Sequence, residues 1–318
     1  MASRSQSSAA MLAPVIALAV PAFAGNALQN EPIHPVPAAA PQDPARVALG
    51  RRLFSDPRLS ANGVVSCASC HNLQAGGVDG RARSLGFNGR LTALNTPTVL
   101  NAALNFRQFW NGAASTLEQQ IGMVVENPVE MGSSWPVVVR KVLDDSGYRR
   151  AFNAAYRDGV TRANIENALA TYERTLVTPG ARFDRYLQGD NGAITAAEKA
   201  GYARFKQYGC VSCHQGVNVG GNMFQKYGAV MPAPSAQGAG LGRFLVTGNP
   251  QDEQVFKVPG LRNVARTAPY FHDGSAATLE QAIDAMFRYQ LGRESTSEDR
   301  KLIAAFLATL NAEPAVQP

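Results

Sequence analysis

The chain contains four cysteines and four histidines, and spacing assigns most of them at once. Cys67-Ala68-Ser69-Cys70-His71 and Cys210-Val211-Ser212-Cys213-His214 are two copies of C-x-x-C-H, and together they use every cysteine. The pattern suits covalent haem. Two thiols reach the two vinyl groups of one porphyrin as thioethers, and the next histidine meets the iron from one face. Two c-type haems are therefore expected. A four-thiolate zinc site would need the distant pairs to converge and gives the histidines no part. Two disulfides would each close a strained, very short loop and also ignore the histidines.

An iron held by one histidine has a sixth position, and its occupant decides the chemistry. A second strong ligand favours electron transfer, whereas a vacant position admits peroxide or oxygen. Beyond the two motifs only His34 and His272 remain. Methionine is a second candidate ligand, because a thioether favours ferrous iron and suits an electron relay. Met123, Met131, Met223, Met231 and Met286 follow the N-terminal segment. Composition does not choose among them, and a helical methionine is more often core filler than ligand.

The elements that position these residues begin after an export segment. Met1 to Ala24 reads as a cleavable signal: Arg4, a short apolar run from Ala9 to Val20 interrupted by Pro14, and the small-x-small site Ala22-Phe23-Ala24. A retained anchor would need a longer apolar run of about 20 residues, so no membrane anchor is expected after cleavage. Residues 25–44 form a Pro/Ala-rich extended lead-in that contains His34. The formal charge of +6 becomes +5 without Arg4, spread with no dense basic run. That pattern argues against nucleic-acid binding and leaves room for an acidic redox partner.

One unit is used twice. Gly50-Arg51-Arg52-Leu53-Phe54 precedes the first haem motif, and Gly201-Tyr202-Ala203-Arg204-Phe205 precedes the second. The first helix is predicted from Asp43-Pro44 to about Asp56-Pro57. The second opens on a Thr195/Glu198 capping box. Further helices are expected near Leu117–Val125, Pro136–Leu143, Arg162–Leu176, Leu279–Tyr289 and Glu298–Leu310. The polar segment 179–193 is the expected junction. The fold class is mainly α, with two cytochrome c-like haem domains (45–180 and 181–318), long loops and few short strands. The Gly-rich run 218–242 is expected to wrap a cofactor.

Over nearly all of its mature length the chain resembles the bacterial di-haem cytochrome c peroxidases. The resemblance is carried by Leu49–Pro57, Ser66–Leu73, Asn95–Asn101, Gln108–Gly112, Gly209–His214, Gly216–Gly221 and Ala268–Gly274. It implies that the haem on Cys67, Cys70 and His71 reduces peroxide, and that the haem on Cys210, Cys213 and His214 receives electrons. Met286 matches the methionine ligand of the second haem, and Trp110 a tryptophan lying between the haems. Gln120 and Glu130 match the polar residues over the peroxide-binding face. A carboxylate there moves a proton between the two peroxide oxygens. Asn95, Thr267 and Pro269 match a calcium site of oxygen donors. His272 falls in a haem-edge or domain-contact segment and is not assigned to iron.

The chain departs from the family pattern at one position. Many members place a histidine over the resting peroxide-reducing haem, and the matching residue here is Phe87. A phenyl ring has no lone pair for iron, so the first haem is expected to be open in the oxidised protein. His34 is a remote substitute. The expected function is a periplasmic peroxidase supplied by a small cytochrome c or cupredoxin, in a family that is commonly dimeric. One alternative is oxidation of residues on a partner protein, as in methylamine dehydrogenase maturation, with a tyrosine such as Tyr289 on the second haem. Another is a non-enzymatic electron carrier.

Overall fold

The computed structural model describes residues 30–234 and 238–314. The signal expected at Met1–Ala24 lies outside the described residues. The first half contains α1 (Pro44–Phe54), α2 (Cys67–Cys70), α3 (Leu117–Glu126), α4 (Trp135–Asp144), α5 (Ser146–Ala155) and α6 (Arg162–Glu173). The second contains α7 (Arg182–Leu187), α8 (Ala196–Gln207), α9 (Phe244–Thr247), α10 (Leu279–Leu291) and α11 (Ser297–Ala308). Strands β1 (Phe224–Lys226) and β2 (Val255–Lys257) pair antiparallel, with Phe224 opposite Lys257. The fold is mainly helical. Among the described residues no helix is long and apolar enough to cross a membrane.

Local chemistry sets the helix starts. The Asp43 carboxylate accepts from the amides of Ala45 and Arg46, and Pro44 takes the first helical position, where no amide donor is needed. Thr195 and Glu198 cap α8 reciprocally. Thr278 with Gln281 opens α10 in the same way, and Thr296 with Asp299 opens α11.

Each half buries its own apolar core. One draws on Leu49 to Leu176, the other on Ile33 and on Phe183 to Leu310. The same helix crossing organises both. Gly50 of α1 lies on the backbone of α6, where a Cβ would overlap the Ala168 carbonyl; Gly201 of α8 lies on α11, where a Cβ would overlap the Leu302 carbonyl. Only glycine permits so close an approach. Phe54 packs on Tyr172 at 5.5 Å and Phe205 on Phe306 at 5.2 Å. Each of these phenylalanines also faces its haem histidine, His71 at 6.5 Å and His214 at 6.4 Å. The crossing therefore fixes the histidine relative to the core in both halves.

The halves meet through reciprocal contacts. The Asn95 amide donates to the His272 carbonyl at 2.8 Å, and the Lys257 amide donates to the Trp110 carbonyl at 2.8 Å. Trp110 and His272 hold matching places, each followed by a turn and preceded by a phenylalanine of positive φ, Phe109 at 66° and Phe271 at 70°. The interface thus has an approximate two-fold character.

Three expectations change. Segment 179–193, expected as a polar junction, contains α7 and buries Phe183 and Asp184. The lead-in is docked: Ile33 is buried in the second core, and the His34 amide donates to Gly216. Its anchor is an ion pair between Arg262 and Asp184, 2.7 Å apart with both side chains 1% exposed, and Arg262 also donates to the His34 carbonyl. His34 is therefore held on the second half, away from the first haem motif. Helix α5 was not anticipated.

Candidate haem centres

The first motif is shaped by α2. The Ser69 hydroxyl accepts from the Ser66 amide at 3.0 Å, closing the turn that carries Cys67 and Cys70. His71 Nδ1 lies 3.1 Å from the Gly77 carbonyl. A proton on Nδ1 satisfies that carbonyl and leaves Nε2 free to bind iron. His214 repeats the arrangement, with Nδ1 3.3 Å from the Val219 carbonyl. Burial lowers the pKa of both imidazoles, His214 to about 4, so both stay neutral as ligation requires.

The four cysteines are unpaired. Burial raises the Cys67, Cys70 and Cys210 thiols, Cys210 to about 11. Cys67 packs against the first core while Cys210 packs against the second, and among the described residues no group of three or more His, Cys, Asp or Glu converges on a metal site. A four-thiolate zinc reading fails on this arrangement.

Above the first motif two loops lock together. The Phe87 amide donates to the Val129 carbonyl at 2.9 Å and to the Glu130 carbonyl at 2.7 Å. The Phe87 ring lies on Gly132, where a Cβ would fall 2.7 Å from it. Asn127, the C-cap of α3, donates from Nδ2 to Glu130 Oε1 at 3.0 Å. Burial nevertheless pushes the Glu130 carboxyl up to about 7, the Asn127 hydrogen bond opposing only part of that rise. Gln120 lies partly buried on α3, one residue before the buried Ile121. No hydrogen bond joins it to Glu130 among the described residues. Sequence reasoning missed Glu173 on α6. It is 7% exposed, within electrostatic range of Cys67, and pushed by burial to about 8, so it is largely protonated at neutral pH. Nothing in its local sequence distinguishes it from a surface carboxylate.

The second motif opens onto a cavity of about 550 Å³. Cys210, Cys213, His214 and Met286 line it, within the size range of a cofactor site. From the first half Trp110 and Asn95 contribute to its wall, as Thr267 and Pro269 do from the second. Trp110 Nε1 donates to the Asn95 carbonyl at 2.9 Å, and the indole meets the His272 ring edge-on at 6.4 Å. Asn95 Nδ2 donates to the Arg81 carbonyl at 2.9 Å, and Oδ1 is the side-chain atom with lone pairs to offer a cation. The described part of the Gly-rich run contributes Asn218, Gln225, Tyr227 and Ala229 to the wall. Among the other methionines, Met131 is buried in the first core, and Met123 and Met231 are exposed. Tyr289 packs against Tyr227 at 5.7 Å and is absent from the cavity wall.

The residues at both motifs, and the cavity at the second, fit covalent haem. A family model described as di-haem cytochrome c peroxidase matches residues 44–192. The chain is 46% identical over 293 residues to cytochrome c551 peroxidase of Nitrosomonas europaea, covering 92% of this chain and 87% of that protein. It is also 46% identical over 286 residues to cytochrome c peroxidase Ccp of Escherichia coli, covering 89% of this chain but only 62% of that longer protein. Methylamine utilization protein MauG of Methylorubrum extorquens is 37% identical over 294 residues, covering 88% of this chain and 82% of that protein. Among solved structures, a MauG-like protein associated with microbial copper homeostasis superposes with a TM-score of 0.74 at 31% identity, over 90% of this chain and 94% of that one. With two C-x-x-C-H motifs, each holding its histidine through an Nδ1 contact to a backbone carbonyl, and relatives matched along most of its length, this chain belongs to the di-haem cytochrome c peroxidase family and carries two c-type haems.

Proposed function

We propose that this chain reduces hydrogen peroxide to two waters, consuming two protons and two electrons delivered one at a time by a small soluble redox protein. The haems, when bound, supply the iron at which the O–O bond breaks and the storage of electrons. The chain's residues do the rest. Glu130 removes the proton from one peroxide oxygen and returns it to the other, which suits a carboxyl whose pKa lies near 7. Gln120 orients peroxide through its amide. Phe87 occupies the place of a capping ligand and offers no atom to iron.

His214 and Met286 would hold the iron of the second haem, and Trp110 would couple the two centres electronically. Asn95 Oδ1, with the Thr267 and Pro269 carbonyls, holds a calcium ion, a donor set suited to a hard cation. The protein is exported to the periplasm through a signal at Met1–Ala24, takes its electrons from a small cytochrome c or cupredoxin, and forms a homodimer.

A single asymmetry supports this reading: a raised carboxyl beside Phe87 at one centre, and Met286 sharing a cavity wall with His214 at the other. An electron carrier has no use for the first arrangement. Oxidation of a partner protein calls for Tyr289 on the second iron, and that ring packs on Tyr227 instead. The test is steady-state turnover of the holoprotein with a reduced small cytochrome c. Two donor molecules oxidised per peroxide are expected; no peroxide-dependent oxidation of any small donor protein would overturn the reading.

A further inference from the structure

The cavity around Cys210, Cys213 and His214 is unbalanced in charge. Lys257 and Arg262 are on its wall, and among the described residues no aspartate or glutamate is. Arg262 is matched from behind by Asp184. Lys257 is not matched. It is 7% exposed and has no hydrogen-bond or ion-pair partner for its ammonium among the described residues; desolvation alone acts on it, pushing its pKa down to about 8. A largely buried ammonium without a partner is costly to fold around, and an anion brought into the site offsets that cost.

Its position is imposed by the fold. Lys257 ends β2 opposite Phe224, and its amide is tied to the Trp110 carbonyl. It therefore stands where the two halves meet, on the cavity wall. In the approximate two-fold arrangement Asn95 holds the matching place, tied through its own amide to His272. One half presents a neutral oxygen donor there and the other a fixed positive charge.

We propose that the Lys257 ammonium anchors a propionate carboxylate of the haem attached through Cys210 and Cys213. The propionates are the anionic side groups of that haem, and among the described residues the cavity wall supplies no carboxylate to compete for the lysine. A fixed cation beside the macrocycle also favours the ferrous over the ferric state. Lys257 is then a positioning residue that helps to raise the potential of the second haem. The inference rests on the presence of the second haem and is independent of peroxide chemistry.

The test is potentiometric titration of the holoprotein, without peroxide, for wild type, Lys257→Met and Lys257→Arg. Lys257→Met is expected to shift the reduction equilibrium of the second haem about tenfold toward the oxidised form, a fall of about 59 mV for a one-electron couple. Lys257→Arg is expected to restore most of it, and the first haem is expected to keep its potential. Should Lys257→Met fail to load haem, Lys257→Gln, similar in length and uncharged, takes its place. Unchanged potentials in the neutral variant, or a shift confined to the first haem, would overturn the proposal. A loss of peroxide turnover with unchanged potentials would do so equally.

Discussion

Glu130 is an ordinary carboxylate in the sequence and an unusual one in the fold. Its elevation to about 7 comes from burial under the Phe87 loop, with Asn127 holding one oxygen. A raised carboxyl pKa means that the base form is present above about 7 and is lost as pH falls below it. Turnover that depends on Glu130 should therefore rise with pH through about 7. Glu130→Gln is expected to lower peroxide turnover by roughly 10²–10⁴-fold and to abolish that limb of the profile, with the haem spectrum retained; a full-strength profile in the variant would remove Glu130 from the chemistry. Phe87 offers the complementary change. Phe87→His restores a nitrogen ligand, so the variant is expected to be low-spin at the first haem when oxidised and to require prior reduction before it consumes peroxide. The haem ligands were legible in the sequence because covalent attachment enforces a fixed local spacing. Glu130 was legible only through family resemblance, and Lys257 and Glu173 were not legible at all, because their unusual properties come from burial by segments far away in the chain.

At the scale of elements, caps and apolar periodicity located most of the helices. The predicted starts at Asp43-Pro44 and Thr195 rest on hydrogen bonds within four residues, and local sequence encodes those directly. The strap formed by the lead-in and α7 escaped notice for the opposite reason. Its stability depends on Arg262 reaching Asp184 and the His34 carbonyl, partners separated by much of the chain. Segment 179–193 looked polar because Asp184 and its neighbouring arginines are charged, yet Asp184 is among the most buried side chains present. Removing one partner of such a pair leaves an uncompensated interior charge. Asp184→Asn is expected to cost about 3–5 kcal/mol in denaturant unfolding of the holoprotein. A loss below about 1 kcal/mol, the range of exposed pairs, would show that water reaches Arg262.

At the scale of the whole molecule, one helix-crossing unit has been used twice and then made unequal. Gly50 with Phe54 and Gly201 with Phe205 perform the same packing task, and the duplicated pattern was visible in the sequence. The reciprocal contacts of Asn95 with His272 and of Lys257 with Trp110 were not visible, since they join the two halves. The proposed function draws on the differences laid over this symmetry: Met286 on the cavity wall at one centre, Phe87 and Glu130 at the other. The most direct measurement is therefore the absorption and EPR spectrum of the fully oxidised holoprotein, before and after peroxide is added. One low-spin haem with two protein ligands and one open or water-bound haem are expected, and peroxide should perturb only the second of these signals. Two low-spin, six-coordinate haems that ignore peroxide would contradict the assignment of Phe87 and, with it, the open first centre.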